Sequence, residues 1–105
     1  MATGRRGMTM SSNLRDGVGP VLEAGEVARA IVAAIRSHQS GVQVQDRDAY
    51  LRVLVSVRCH VSRSAIEREL GRAFELPGDL ERVMPSFKGA FHVTDEGATW
   101  ELVRP

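Results

Sequence analysis

A chain of 105 residues with 43% hydrophobic content has room for one domain, burying on the order of 65% of the surface its unfolded form exposes. Its 14 basic and 13 acidic residues leave a net charge of +1, so no global field draws it to nucleic acid or to an anionic membrane. A single cysteine excludes an internal disulfide framework, and the chain has neither an apolar signal-peptide core nor a run long enough to span a bilayer. These bounds predict a soluble cytoplasmic protein.

Residues 1–16, "MATGRRGMTMSSNLRD", have no apolar period and read as a flexible N-terminal tail. A single domain is expected over 17–105. Val18, Val21 and Leu22 around Pro20 suit an edge strand, because proline lacks the N–H that a central ladder needs. "EVARAIVAAIRSHQSG" then takes helical spacing, with Val27, Ile31, Val32 and Ile35 on one face and Gly41 as the stop. The period changes to two in "VQVQDRDAYLRVLVSVRCHV". "DRDA" turns the chain, and Leu51, Val53, Val55, Val57, Cys59 and Val61 share the apolar side of one long hairpin strand.

Ser62 or Ser64 caps a second helix, the latter in capping-box spacing with Glu67, and Gly71 ends it. Arg72 is placed to face the negative end of that helix. Phe74 and Leu76 close over the helix, and "PGDLERVM" makes one short helical turn that begins at Pro77. "SFKGAFHVTDEGATWELVR" reads as a final hairpin, with Phe87, Phe91 and Val93 alternating and Trp100 and Leu102 on the return strand. The order β-α-β-β-α-(short α)-β-β specifies an α+β two-layer sandwich, a mostly antiparallel sheet with the helices on one face.

A catalytic apparatus is not visible. Cys59 and His60 are adjacent in a strand and so point to opposite faces, while His38 and His92 lie at no ligand spacing. Cys59 continues an apolar face and reads as a small core residue. "GVGPVLEAG" matches a dinucleotide loop only superficially, since Pro20 stands where a helix should open. The acidic pairs Asp46/Asp48, Glu67/Glu69 and Asp79/Glu81 fall in a turn or on solvated helix faces. Lacking nucleophile, base and metal ligands, the chain points to binding as its role.

Four segments carry a resemblance: "VGPVLEAGEVARAIVAAI", "VQDRDAYLRV", "LGRAFEL" with "LE" after it, and "MPSFKG". In this order they resemble the effector proteins of bacterial multicomponent monooxygenases, the small coupling components of soluble diiron systems that oxidise methane, phenol, toluene or alkenes. The likeness runs from about Val18 to Leu102 and is nearest the toluene and alkene branch. Pro85 and Phe87 depart from the methane branch, which is richer there in small hydroxyl residues.

The resemblance implies a regulatory subunit that is not itself an enzyme and carries no cofactor, the diiron centre belonging to a partner hydroxylase. Such a subunit docks on the hydroxylase and modulates its active-site geometry, O₂ activation and coupling to hydrocarbon oxidation. The unbound protein is expected to be monomeric. The matching segments nominate contact residues. In "MPSFKG" these are Met84 as an adaptable apolar contact, Pro85, Ser86, Phe87 as an aromatic anchor, Lys88 (the chain's single lysine), and Gly89, where another backbone could approach. In "DRDAYLR" they are Arg47, Tyr50 and Arg52. Against these readings, Phe87 could be core, and "DRD" could be a turn with solvated charges. Two other classes remain open: a small ligand-sensing module, which needs polar groups in a pocket between sheet and helices, and an RNA-binding module, which needs aromatics on the open sheet face.

Overall fold

The computed structural model describes residues 16–103; the expected tail lies, but for Asp16, outside them. Seven strands and three helices follow one another within this range. They are β1 (Gly17–Glu23), α1 (Glu26–His38), β2 (Gln43–Asp46), β3 (Tyr50–Ser56), β4 (Arg58–Ser62), α2 (Arg63–Leu70), α3 (Gly78–Val83), β5 (Ser86–Lys88), β6 (Ala90–Val93) and β7 (Gly97–Glu101). The strands form two antiparallel sheets, a first in the order β2-β3-β1-β5 and a second in the order β4-β7-β6. The α+β class agrees with the sequence reading, and so does the order of strands and helices, except that the expected Leu51–Val61 and Phe87–Val93 strands are each divided between two sheets.

Two residues make the separation. The alternation from Leu51 to Val61 looks continuous, and Val55, Cys59 and Val61 do all point inward. Between them Val57 takes φ 70, breaks the strand and stands 42% exposed. Its N–H donates to the Asp16 carbonyl and its own carbonyl accepts from Leu102, so both backbone groups are satisfied in this rare conformation. Gly89 does the same between β5 and β6, with φ 106. Each residue carries the chain from the first sheet into the second.

Pro20 overturns the edge-strand expectation: β1 lies between β3 and β5. The pairing with β3 holds one register but skips Gly19 and Pro20, which removes the need for a proline N–H. Gly19 has φ 148, and a Cβ there would collide with the Val53 carbonyl, so the two backbones approach closely where the ladder is interrupted.

The core gathers Val18 and Leu22 of β1, Ile31 and Ile35 of α1, and Val53 of β3 with Cys59 and Val61 of β4, Ile66 of α2, Leu80 of α3 and Trp100 of β7, all fully buried. Helix α1 ends at His38 with Gln39 extended, rather than at Gly41, which turns the chain toward β2 with φ 71. The Gln39 side chain then caps the edge of the second sheet, accepting from the His60 N–H at 2.8 Å and donating to the Arg58 carbonyl at 2.9 Å. Ser62, not Ser64, caps α2 by accepting from Ala65 N–H, and Gly71 closes it with φ 80. Glu67 is no capping-box partner; its Oε2 accepts from the Phe74 N–H at 2.9 Å. Arg72 reaches Glu26 of α1 at 3.3 Å instead of facing the end of α2. No helix among the described residues is long and apolar enough to cross a membrane.

Candidate docking surface

Register decides which side chains meet. Arg52 of β3 lies opposite Val21 of β1, and Val21 lies opposite Ser86 of β5, so the three form one row across the open face of the first sheet. Two residues along β3 stands Tyr50, and two residues along β5 stands Lys88, on the same side by the period of the strand. These residues, with Gly19, Arg47 and Phe87, line a depression of about 370 Å³. Two segments more than thirty residues apart in sequence thus form one surface, joined by β1 between them.

The turn before β3 fixes Arg47. Asp46 Oδ1 accepts from Asp48 N–H at 2.9 Å, Asp48 takes φ 62, and Arg47 N–H donates to the Tyr50 carbonyl at 2.8 Å. "DRD" is therefore a built turn, and it also holds Arg47 at the depression, where its guanidinium donates to Gln45 Oε1 at 3.2 Å. Tyr50 and Phe87 are 42% and 44% exposed. Phe87 is not core. Its ring packs 5.2 Å from Phe91, which stacks at 5.3 Å on the buried Trp100, so an aromatic row runs from the surface into the second sheet. Trp100 Nε1 is buried with no hydrogen-bond acceptor among the described residues.

Three nominated residues stand elsewhere. Met84 is only 8% exposed and belongs to the core cluster, because the end of α3 turns it inward. Its role as a surface contact is corrected. Pro85 is exposed but does not line the depression. Gly89 does admit a close backbone, but the backbone is the protein's own: an added Cβ would lie 2.8 Å from the Glu101 carbonyl oxygen and 2.9 Å from Val18 Cγ1. Gly19 and Val21 were missed as lining residues. The signal for Gly19 was a glycine inside a strand pattern, which marks close backbone approach.

The open face of the second sheet is different. His60, Thr99 and His92 lie side by side across β4, β7 and β6, and His60 Nδ1 is 2.9 Å from Thr99 Oγ1. Burial lowers the His60 pKa, with Arg58 and His38 adding to the effect. Glu101 lies 3.4 Å from Arg58 and 3.8 Å from His92. Among the described residues no group of three or more His, Cys, Asp or Glu side chains is placed to hold a metal ion. Cys59 faces the core, where burial pushes its thiol up to about 12 although the Arg58 charge lowers it. A thiol so protonated is no nucleophile near neutrality. A further groove of about 640 Å³ lies between α1 and the β2–β3 edge, with Val32, Ala33, Val44 and Leu51 in its wall and Arg29, Arg36 and Asp46 beside them.

Known proteins match this chain along nearly all of its described length. The effector subunit of the alkene monooxygenase system of Xanthobacter autotrophicus (strain ATCC BAA-1158 / Py2) is 38% identical over 93 residues, 87% of this chain and 88% of that protein. Chains from two structures of the phenol hydroxylase–regulatory protein complex superpose with TM-scores of 0.73 and 0.68. They cover 83% and 81% of this chain and 99% and 98% of their own, at 20% and 21% identity, a level that speaks for the fold. The model of the MmoB/DmpM family matches residues 16–101, from the start of β1 to the end of β7, and the chain belongs to that family.

Proposed function

We propose that this protein is the effector subunit of a multicomponent monooxygenase and docks on the hydroxylase component through the open face of its first sheet. One observation carries the reading: in a chain 38% identical to an effector subunit, Arg47, Tyr50 and Arg52 meet Ser86, Phe87 and Lys88 around a single depression beside two half-exposed aromatic rings. Exposed aromatics and arginines at the centre of a patch are the residues that dominate binding energy at protein interfaces.

The protein acts by differential affinity. It binds one conformation of the hydroxylase better than another, and thereby shifts the population that activates O₂ and couples electron delivery to substrate oxidation. A difference of about 2–3 kcal/mol changes the ratio of states roughly 30- to 150-fold. The iron chemistry belongs to the hydroxylase; this chain contributes a rigid surface. The test is reconstitution. Addition of the protein to its hydroxylase and reductase chain should raise product formed per NADH consumed, and gel filtration should show a complex. Absence of both refutes the reading.

A further inference from the structure

Resting on the docking role just proposed, we infer that the first sheet's depression receives an acidic segment of the hydroxylase, one carboxylate side chain beside an apolar one. The charges argue it. Arg47 and Arg52 enter from the turn and strand at one side, and among the described residues no acidic side chain lines the depression. Three carboxylates stand nearby and none lines it. Asp46 Oδ1 accepts from Asp48 N–H while Asp46 lines the groove on the α1 side, Asp48 is exposed in the turn, and Glu23, paired with Tyr50, is exposed at the end of β1. The whole chain carries only +1, so this grouping is local and does not reflect a basic protein. Between the arginines the floor is Val21 and the Gly19 backbone, flanked by the exposed ring of Tyr50.

Guanidinium groups take a carboxylate through two parallel N–H bonds, a match that lysine does not offer. An apolar side chain next to that carboxylate would cover the Tyr50 ring and exclude water around the pair, where charge complementarity contributes most to specificity. A nucleic-acid strand could also use cations and aromatic rings on an open sheet, but a net charge of +1 supplies little of the phosphate-driven affinity such binding needs.

The test measures binding of fluorescently labelled protein to its hydroxylase by anisotropy at 20 and 300 mM NaCl, for the wild type and for Arg52→Gln, Arg52→Lys and Arg52→Glu. Circular dichroism first establishes that each variant is folded. We expect salt to weaken wild-type binding by about tenfold and Arg52→Gln to lose about fivefold at low salt but little at high salt. Arg52→Glu should bind more weakly than Arg52→Gln, and Arg52→Lys should fall between Arg52→Gln and the wild type. Wild-type affinity that does not change with salt, or Arg52→Glu binding as well as wild type, overturns the inference while leaving the docking role standing. Failure of the wild type to bind at either salt refutes the docking role itself. A 12-nucleotide oligouridylate that binds and is lost on Phe87→Ala would reassign the depression to nucleic acid.

Discussion

The two sheets share a core and differ in what they present outward. On the second sheet the polar side chains are paired across strands, His60 with Thr99 and Glu101 with Arg58 and His92. On the first, Tyr50 stays 42% exposed beside Arg47 and Arg52, and Phe87 stays 44% exposed at the β5 edge. Exposed aromatic surface of this kind is unfavourable in water unless another molecule covers it. The contrast is between a face whose polar groups pair across strands and a face that, in the docking role proposed above, a partner completes.

The largest effect tests the joint between them. Gly89→Leu must place a side chain against the Glu101 carbonyl and Val18 at a φ of 106, so a loss of about 3–5 kcal/mol is expected. Thermal or urea unfolding measures it. A stable Gly89→Leu variant would detach Gly89 from the fold and return it to the docking surface.

Next come matched changes on the two faces. Phe87→Ala and Ser86→Arg should weaken hydroxylase binding by about 2–3 kcal/mol, with monomer stability changed by less than about 1 kcal/mol. On the other sheet His92→Arg should leave binding within about twofold, because its side chain is 66% exposed on the face assigned to solvent. Equal losses from Phe87→Ala and His92→Arg would erase the contrast between the faces.

A smaller effect comes from the core beneath both sheets. The Cys59 thiol is held up to about 12, above its ordinary value of 9.0, chiefly by burial. Above pH 9 the unfolded state therefore loses a proton that the folded state keeps. Stability present below pH 9 falls by up to about 1.4 kcal/mol per pH unit until the folded thiol titrates. Comparing wild type with Cys59→Ala between pH 8.5 and 10.5 isolates this slope from other groups. Identical slopes would mean that the thiol is accessible.

The smallest concerns the other crossing. Val57 is a β-branched residue at φ 70, where asparagine is tolerated far better, and its exposed side chain contributes little packing. Val57→Asn should stabilise the protein by about 0.5–1 kcal/mol. Destabilisation would show that the side chain packs more than its exposure implies.

Much of this architecture was legible. The apolar stripe of α1, the glycine end of α2, the short helix after Pro77 and the inward Trp100 follow from periodicity and local chemistry alone. Val57 was hidden because Val55 and Cys59 keep the same phase on either side of it, so alternation continues through a broken strand. Pro20 misled because a proline excludes a ladder bond, not a central position, when the chain skips that bond. For the site, Arg47 to Arg52 and Ser86 to Lys88 were each nominated by resemblance. Their meeting depends on the pairing of β1 with the three-residue β5, a long-range choice that no local pattern records. Met84 was misplaced for the converse reason, since the turn of α3 determines where its flexible side chain goes.

Amide hydrogen exchange of the protein with and without its hydroxylase tests the central claim most directly. Docking through the first sheet predicts slowed exchange in the 46–50 turn and along β5, whose strand lies at a sheet edge, with β6 and the β6–β7 turn unchanged. Protection confined to β4, β6 and β7, with the 46–50 turn and β5 unaffected, would contradict it.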